Sequence, residues 1–409
     1  MTDYDVIIAG GGMVGACLAH ALARDGLRVA VVEPFPLDSA SQPSYDDRAI
    51  ALAYGTRCIL EGLGVWDGLG PAAEPIREVH VSDRGHFGFT RLDARDEEVE
   101  ALGYVVTGRD LGRALLGPLA VAGGGADLVC PARVRDFAIG PDEVRVAVEP
   151  VPGAASDGAA SMPRTLTAAL LVAADGGRSA IRARLGIPQR EHAYRHHAVI
   201  ANVTPALPHR GVAYERFTDS GPLALLPMTD DRCGLVWTVR DDDLADLLAL
   251  DDRRFLARLQ ERFGFRLGRF GAVGRRSHYP LELRLAHTQV LERVAIIGNA
   301  AHTVHPIAGQ GFNLGIRDVA ALAGVLADAH RDGRDLGSLG VLERYAEARR
   351  RDHRAVVLAT DALARLFASP AAPLQLVRNL GMLALDTLPP LKRALARAAM
   401  GLSAGSRLP

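Results

Sequence analysis

Three stretches of the chain combine glycines with short polar side chains at spacings suited to a phosphate-bearing ligand. The first, Gly10-Gly11-Gly12-Met13-Val14-Gly15, is a GxGxxG pattern. Gly10 permits a tight turn, Gly12 lets the backbone approach a pyrophosphate, and Gly15 lets a helix pack closely on a strand. The helix behind such a loop offers free N–H groups and the positive end of its dipole. Glu33 follows Gly12 by 21 positions, near the ~20-residue offset of an acid that binds a ribose hydroxyl. Taken singly, three glycines can be an ordinary turn and Glu33 a surface carboxylate. Their order gives them meaning: apolar run, glycine loop, helical pattern, apolar run, acid.

The second stretch is Leu171-Val172-Ala173-Ala174-Asp175-Gly176, followed by Arg178 and Ser179. Asp-Gly alone is common in turns. The third begins Val294-Ala295-Ile296-Ile297-Gly298-Asn299 and continues through His305-Pro306-Ile307-Ala308-Gly309-Gln310-Gly311-Phe312-Asn313. It reads as strand, glycine turn, proline, glycine pair and helix start, and the start of that helix can face an electron-rich group. His302 and His305 invite a metal reading. A zinc site wants three or four ligands, and no Cys or further His lies nearby in sequence, so a structural or ligand-side role is expected for both.

These residues need a scaffold, and its outline is legible. Tyr4–Ala9 and residues 27–33 read as buried parallel strands around a helix over 13–24, a βαβ unit. A helix is expected over 110–121, a hairpin over 134–149 and a buried strand over 170–174. Residues 150–164 are rich in Pro, Gly, Ala and Ser and predict an exposed loop. Residues 191–240 alternate apolar and polar, predicting antiparallel strands at 198–203, 211–217, 223–228 and 233–239. Helical pattern runs from Gly311 to about residue 367, and again after Pro370 and Pro373. The expected organisation is a nucleotide-binding layer built from residues 1–75, 100–190 and 290–345, a β-sheet substrate domain from 76–99 and 191–289, and C-terminal helices over 346–409.

Composition narrows the function classes. The chain has 409 residues, 48% of them hydrophobic, enough for a sizeable core. Net charge is −1, so no electrostatic footprint for nucleic acid is present. Cys17, Cys58, Cys130 and Cys233 are far apart and form no CxxC pair, which fits a reducing cytosol. No signal peptide and no transmembrane run are expected.

The three stretches resemble, in order and spacing, the three fingerprints of the group A flavin monooxygenases, whose familiar member is para-hydroxybenzoate hydroxylase. The resemblance implies an α/β fold: a Rossmann-like FAD-binding domain of the para-hydroxybenzoate hydroxylase type, an inserted, mostly antiparallel substrate sheet and a C-terminal helical segment. It implies FAD, NAD(P)H as electron donor, O2 and a phenolic substrate. By the same resemblance Gly10, Gly12, Gly15 and Glu33 hold the ADP half of FAD. Arg48 and Arg109 line its phosphate and ribityl side, and Asp175 and Gly176 form the Asp-Gly fingerprint. Gly298 and Asn299 stand at the ribityl chain, where most relatives carry Gly-Asp. Gln310, Gly311 and Asn313 flank the isoalloxazine, and Pro306 sits beside its reactive carbon. An amide at 299 still accepts a hydroxyl hydrogen bond but brings no negative charge. A flavin halogenase would need two tryptophans two positions apart, and the only ones are Trp66 and Trp237.

The stretches SYDDRAIALAYG, VHVSDRGHFGF, AVIANV, YERFTDSGPLALLPM and HPIAGQGFNLGIRD resemble the UbiH branch of the ubiquinone hydroxylases. That implies a polyprenylated methoxyphenol as substrate, a long apolar slot, and docking to a ubiquinone-pathway complex or to the inner face of a membrane by a cytoplasmic enzyme. Leu223–Met228 resembles the strand that covers the substrate, and its composition suits pocket lining and core equally. Sequence alone identifies no base: His192, His196, His197, His209 and Tyr214 each suit surface or core. Near the C-terminus Leu363, Leu366, Phe367, Leu374, Val377, Leu380 and Leu383 recur at helical spacing, and Leu391 and Leu395 stand beside Lys392, Arg393 and Arg397. That pattern suits a membrane-surface helix and equally a helix packed on its own domain.

Overall fold

Uninterrupted aliphatic runs make the centre of the first sheet. In the computed structural model, which describes residues 2–36, 47–121, 125–151, 162–368 and 372–402, Tyr4–Ala9 lies parallel to Val29–Val32 on one side and Arg164–Ala173 on the other. Ala126–Val129 and Val294–Ile296 extend the parallel set outward. Both faces are covered, which is why the central stretches 6–9, Val29–Val32, 168–173 and Val294–Ile296 are apolar throughout rather than alternating. The helix Met13–Arg24 crosses between the first two strands and ends at Gly26, whose φ of +83° is open to glycine without strain. An antiparallel hairpin, Ala132–Ile139 with Val144–Pro150, attaches to the outer half of Arg164–Ala173. Residues 152–161, most of the expected loop, lie outside the described residues.

The second sheet runs in the order His302–Thr303, Ser277–Ala286, Gln189–Pro205, Cys233–Arg240, Gly221–Pro227, Val212–Thr218, Glu78–Asp83, Phe89–Asp93. Its pairings are antiparallel except Val212–Thr218 with Glu78–Asp83. The expected strands are present. Within 191–289 the structure also has two helices that the strand pattern did not indicate, Asp241–Ala249 and Asp252–Phe263. Asp251 caps the second by accepting from the Arg254 amide at 2.8 Å. Phe255, Leu259 and Phe263, one turn apart, pack on Val199, Leu223, Leu225, Leu235 and Trp237. The helices therefore seal one face of the sheet.

Two further features were not foreseen. A small antiparallel sheet of Ala49–Ala53, Glu74–Ile76 and Gly103–Thr107 bridges the larger ones. The long helical region is also two helices, Gln310–Arg331 and Leu339–Ala368, broken near Gly333 at φ +64°. Ala372–Thr387 and Pro389–Ala399 close the chain.

Candidate active site

The glycine loop is shaped by contacts that exclude side chains. A Cβ on Gly10 would lie 2.5 Å from the Ala174 carbonyl oxygen, and one on Gly15 would strike the Gly10 carbonyl. Gly11 is less tightly constrained: a Cβ there would meet the Glu33 side chain at 3.0 Å. Gly12 differs: at the start of helix Met13–Arg24, a Cβ on it would meet no described atom within 4 Å. Gly298 (φ +58°) and Gly315 both close on Val14, the second residue of that helix. Thus all three fingerprints meet at one point, although Gly10 and Gly298 are 288 positions apart (298 minus 10).

Glu33 is buried and accepts from the Gly11 amide at 2.7 Å and from the Phe35 amide at 3.0 Å. These bonds orient its carboxylate at the edge of the cavity. Asp175 accepts through Oδ2 from the Ala180 amide at 2.8 Å. Among the described residues its Oδ1 is buried without a hydrogen-bond partner, as is the Thr303 hydroxyl. Both residues, with Gly10, Gly12, Glu33, Arg48, Gly176, Gly298 and Asn299, line one large cavity. Unsatisfied buried acceptors are costly, and here they sit beside free helix N–H groups. The site therefore fits a bound group with hydroxyls and phosphates.

The third stretch supplies a second helix start. Gly309 takes φ +60° ahead of helix Gln310–Arg331, and Pro306, Gly309 and Gly311 face the cavity. Asn313 does not. Its Oδ1 accepts from the Ala53 amide at 2.8 Å and the Thr56 hydroxyl at 2.7 Å, and its amide donates to Ala51 and Gly309 carbonyls at 2.9 and 2.8 Å. It fastens strand Ala49–Ala53 to this helix. Gln310 is buried with its amide toward the Ala399 carbonyl and also lies off the cavity wall. Asn299 is exposed and lines the cavity. Arg109, outside the wall and about half exposed, pairs with Asp47 at 3.1 Å.

The cavity measures about 1240 Å³, beyond the roughly 300–1,000 Å³ of a single-ligand site. Its far end is the open face of the second sheet. Side chains alternate across a strand, so Pro222, Ala224 and Leu226 line the cavity while Leu223 and Leu225 join the core against Phe255. The strand is thus lining and core at once. Leu363, Leu366, Gly381, Met382, Leu385, Leu395 and Ala399 form the opposite wall. The helix Ala372–Thr387 is fixed there. Asn379 accepts from the Gly88 amide at 2.8 Å, the Thr90 hydroxyl donates to the Met382 carbonyl at 2.6 Å, and Arg378 pairs with Asp83 at 2.8 Å. Outward, Leu380, Leu383, Leu388 and Leu391 are exposed, while Ala396 and Met400 are buried. The side chains of Phe367, Leu374 and Val377 lie outside the described residues.

The histidines named above separate by environment. Tyr214 packs edge-on to Phe263 behind the sheet, and His209 bonds the Met228 carbonyl at 2.8 Å. Burial pushes His305 down to about 4, with a smaller contribution from the charge of His196, so it is neutral near pH 7. His302 meets two residues that sequence distance concealed. Asp318 Oδ2 lies 2.6 Å from its Nε2, and Asp318 Oδ1 takes His353 Nε2 at 2.6 Å and Arg349 Nε at 2.8 Å. The three side chains His302, Asp318 and His353 are near enough to share a cation. The guanidinium of Arg349 already supplies a positive charge to that carboxylate, and an ion pair is the simpler account.

Over residues 3–360 the chain matches the family model described as FAD binding domain. It is 41% identical to ubiquinone hydroxylase UbiL of Rhodospirillum rubrum, covering 97% of this chain and 89% of that protein. It is 31% identical to ubiquinone hydroxylase UbiM of Neisseria meningitidis, over 97% and 84%. It is also 31% identical to the mitochondrial ubiquinone biosynthesis monooxygenase COQ6 of Homo sapiens, over 96% and 91%. Among solved structures, p-nitrophenol 4-monooxygenase PnpA of Pseudomonas putida superposes with a TM-score of 0.76 at 20% identity, covering 96% of each chain. The anhydrotetracycline hydroxylase OxyS of Streptomyces rimosus gives 0.73 at 26%, over 98% of this chain and 76% of its own. The first of these supports the para-hydroxybenzoate hydroxylase type of fold. The sequence relatives carry names from across the ubiquinone hydroxylases rather than from the UbiH branch in particular. With its glycine loop, Asp175 and the Pro306–Gly311 turn converging on one cavity, the chain belongs to the FAD-binding domain family and, within it, to the ubiquinone hydroxylases, which are flavin-dependent monooxygenases.

Proposed function

We propose that this enzyme uses FAD, NAD(P)H and O2 to place one oxygen atom on the ring of a polyprenylated methoxyphenol in ubiquinone biosynthesis. The observation that carries the reading is the cavity itself. One end is lined by Gly12, Glu33 and Asp175, the other by the apolar sheet face and the C-terminal helices. A polar cofactor end continuous with an apolar slot suits a flavin and a prenyl-tailed phenol together. The narrower UbiH-type substrate rests on the five stretches of resemblance, and the names of UbiL, UbiM and COQ6 support the pathway.

Gly10, Gly12 and Gly15 would seat the pyrophosphate at the helix start, and Glu33 the ribose. Arg48, and Arg109 from beside Asp47, would serve the phosphate and ribityl side. Asp175 and Gly176 would serve FAD as the Asp-Gly fingerprint, Gly298 and Asn299 would stand at the ribityl chain, and Pro306 and Gly311 at the ring, with Gln310 and Asn313, both off the cavity wall, bracing that turn. Bound flavin supplies the redox and oxygen chemistry, and the protein supplies orientation, electrostatics and exclusion of water. The start of helix Gln310–Arg331 would stabilise negative charge on the reduced ring by ~0.3–2 kcal/mol.

No described helix is long and apolar enough to cross a membrane. The exposed leucines of the last two helices, next to the apolar end of the cavity, support peripheral contact of a cytoplasmic enzyme with the membrane that holds its substrate. The division into residues 1–75, 100–190 and 290–345 for FAD and 76–99 with 191–289 for substrate follows the same reading. Mass analysis of the quinone precursor that accumulates on gene deletion tests it. A prenylated methoxyphenol lacking one hydroxyl is expected, and an unchanged quinone pool refutes the assignment.

A further inference from the structure

The open face of the second sheet is mostly apolar around Glu215; other polar residues that line the cavity from this sheet include Thr90, Thr238, Tyr279 and Glu282. Across it runs the row Thr90, Val81, Glu215, Ala224, Val236, set by the registers Val81↔Thr90, Glu215↔Val81, Glu215↔Ala224 and Ala224↔Val236. All five residues line the cavity. Beside the row, Ala213 and Leu226 lie on one side and Phe217 and Pro222 on the other. Glu215 stands at the centre of this surface, on strand Val212–Thr218.

Its carboxyl has no hydrogen bond and no ion pair among the described residues. The charged groups nearest in the fold are accounted for. Tyr214 and Arg216 alternate to the other face of the strand. On Glu78–Asp83, Glu78 and His80 share that other face, and Asp83 is held by Arg378 of the helix Ala372–Thr387. On Phe89–Asp93, Arg91 also alternates away. Gly221–Pro227 carries no charge, and the wall opposite contributes Leu363, Leu366 and Met382. What part of Glu215 is accessible opens on the cavity, and protein surrounds the rest. Burial alone therefore pushes its carboxyl up to about 7.

A lone carboxyl in an apolar pocket costs stability. No described residue offsets that cost, and the cavity that Glu215 lines has room for a partner. We propose that Glu215 is the catalytic residue that binds the substrate's ring hydroxyl and takes its proton. The O–H bond of the phenol breaks, its electron pair stays on the oxygen as phenolate, and the proton bonds to a Glu215 oxygen. The phenolate then releases electron density into the ring and makes the carbon to be hydroxylated nucleophilic. An ordinary carboxylate near pKa 4.3 is a poor match for a phenol near 10. A carboxyl near 7 accepts that proton far more readily while remaining substantially ionised at neutral pH. The surrounding Val81, Ala224 and Val236 keep water from competing for it. The apolar row leading to Met382 and Leu395 leaves room for the tail.

This assignment rests on the reading of the enzyme as a phenol hydroxylase, and the test separates the two. Holoenzyme is compared with Glu215→Gln and Glu215→Asp, all loaded with FAD, on a short-chain prenylated methoxyphenol. Flavin absorbance reports phenol binding, and product formed per NAD(P)H consumed reports hydroxylation. Glu215→Gln is expected to keep its flavin, bind the phenol within a few-fold, and hydroxylate it at least ~10²-fold more slowly. It should also lose the limb near pH 7 in the wild-type rate profile, and Glu215→Asp should recover part of both. Unchanged rate and pH profile in Glu215→Gln overturn the role of Glu215 alone. A wild-type enzyme that hydroxylates no prenylated phenol overturns the phenol reading and this role with it. Should Glu215→Gln lose flavin, the profile of Glu215→Asp decides: a limb moved from near 7 supports the role, and an unmoved limb rejects it.

Discussion

His302 and Asp318 lie 2.6 Å apart, Nε2 to Oδ2, with both side chains almost wholly buried between the turn after Ile297 and helix Gln310–Arg331. Burial opposes the charge of Asp318, but the charge and hydrogen bonds of His302 and His353 outweigh it and hold the carboxyl well below its usual range. Replacing it with Asn would leave Arg349 and two imidazoles around a neutral amide. Asp318→Asn is expected to lower stability by about 3–5 kcal/mol, read from urea denaturation. A chelator should leave wild-type stability and flavin content unchanged; loss of either would revive the metal reading.

Acid should destabilise the enzyme in two stages. His305 is held down to about 4, mainly by burial, and burial also lowers His353. A histidine with a depressed folded value contributes stability above its unfolded value near 6.5, and that stability is lost as pH falls toward the folded value. Asp318, depressed as a carboxylate, loses its contribution only further down. Stability should therefore fall by on the order of 2–3 kcal/mol between pH 6.5 and pH 4 from His305 alone. Denaturation midpoints across that range should be flatter in His305→Asn than in the wild type.

Gly12 and Gly15 should fail differently. A Cβ at Gly12 meets no described atom within 4 Å, whereas one at Gly15 strikes the Gly10 carbonyl. Gly12→Val is expected to fold with wild-type circular dichroism and retain under about a tenth of its FAD, since it would fill the space proposed for the pyrophosphate. Gly15→Val should lose fold and flavin together. A yellow, fully loaded Gly12→Val protein would show that the pyrophosphate lies elsewhere.

Asn299 is exposed on the cavity wall. Asn299→Asp would add negative charge near the ring system and disfavour the anionic reduced flavin. The reduction potential should drop by on the order of tens of millivolts, 30 mV corresponding to about 1.4 kcal/mol for two electrons. Spectroelectrochemical titration giving an equal or higher potential would contradict the placement.

The outward leucines offer a test that spares the fold. Removing the last two helices would strip Met382, Leu385 and Leu395 from the cavity wall and break the Asn379 and Arg378 contacts, so truncation mixes two effects. Leu383→Ser with Leu391→Ser touches only exposed positions. Flavin content and thermal stability should hold while binding to anionic liposomes weakens several-fold in a sedimentation assay. Equal liposome binding would mean the substrate arrives by another route.

How much of this was legible depends on how far apart the partners lie. The first βαβ unit was readable because strand, glycine loop and helix are contiguous, and local pattern decides each of them. Asp318 was not singled out, because its partners are His302, 16 positions before it, and His353, 35 positions after. The helix Asp252–Phe263 was readable in principle: Phe255, Leu259 and Phe263 recur every four residues behind the Asp251 cap. The alternating strands on either side drew the reading toward sheet. Glu215 looked like any charged residue of a half-buried strand. Only the helices packed behind the sheet show which face remains for the cavity.

The Asn313 bonds to Ala53 and Thr56 span about 260 residues of chain. A ribosome therefore finishes the glycine loop long before the turn that completes the pocket exists. The strand Ala49–Ala53 must wait for the last quarter of the polypeptide before its edge of the flavin site is fixed. Contacts of such separation are slow to form, because closing the intervening loop costs entropy first. Cofactor loading should accordingly wait until the helix that carries Asn313 is made, long after the glycine loop itself.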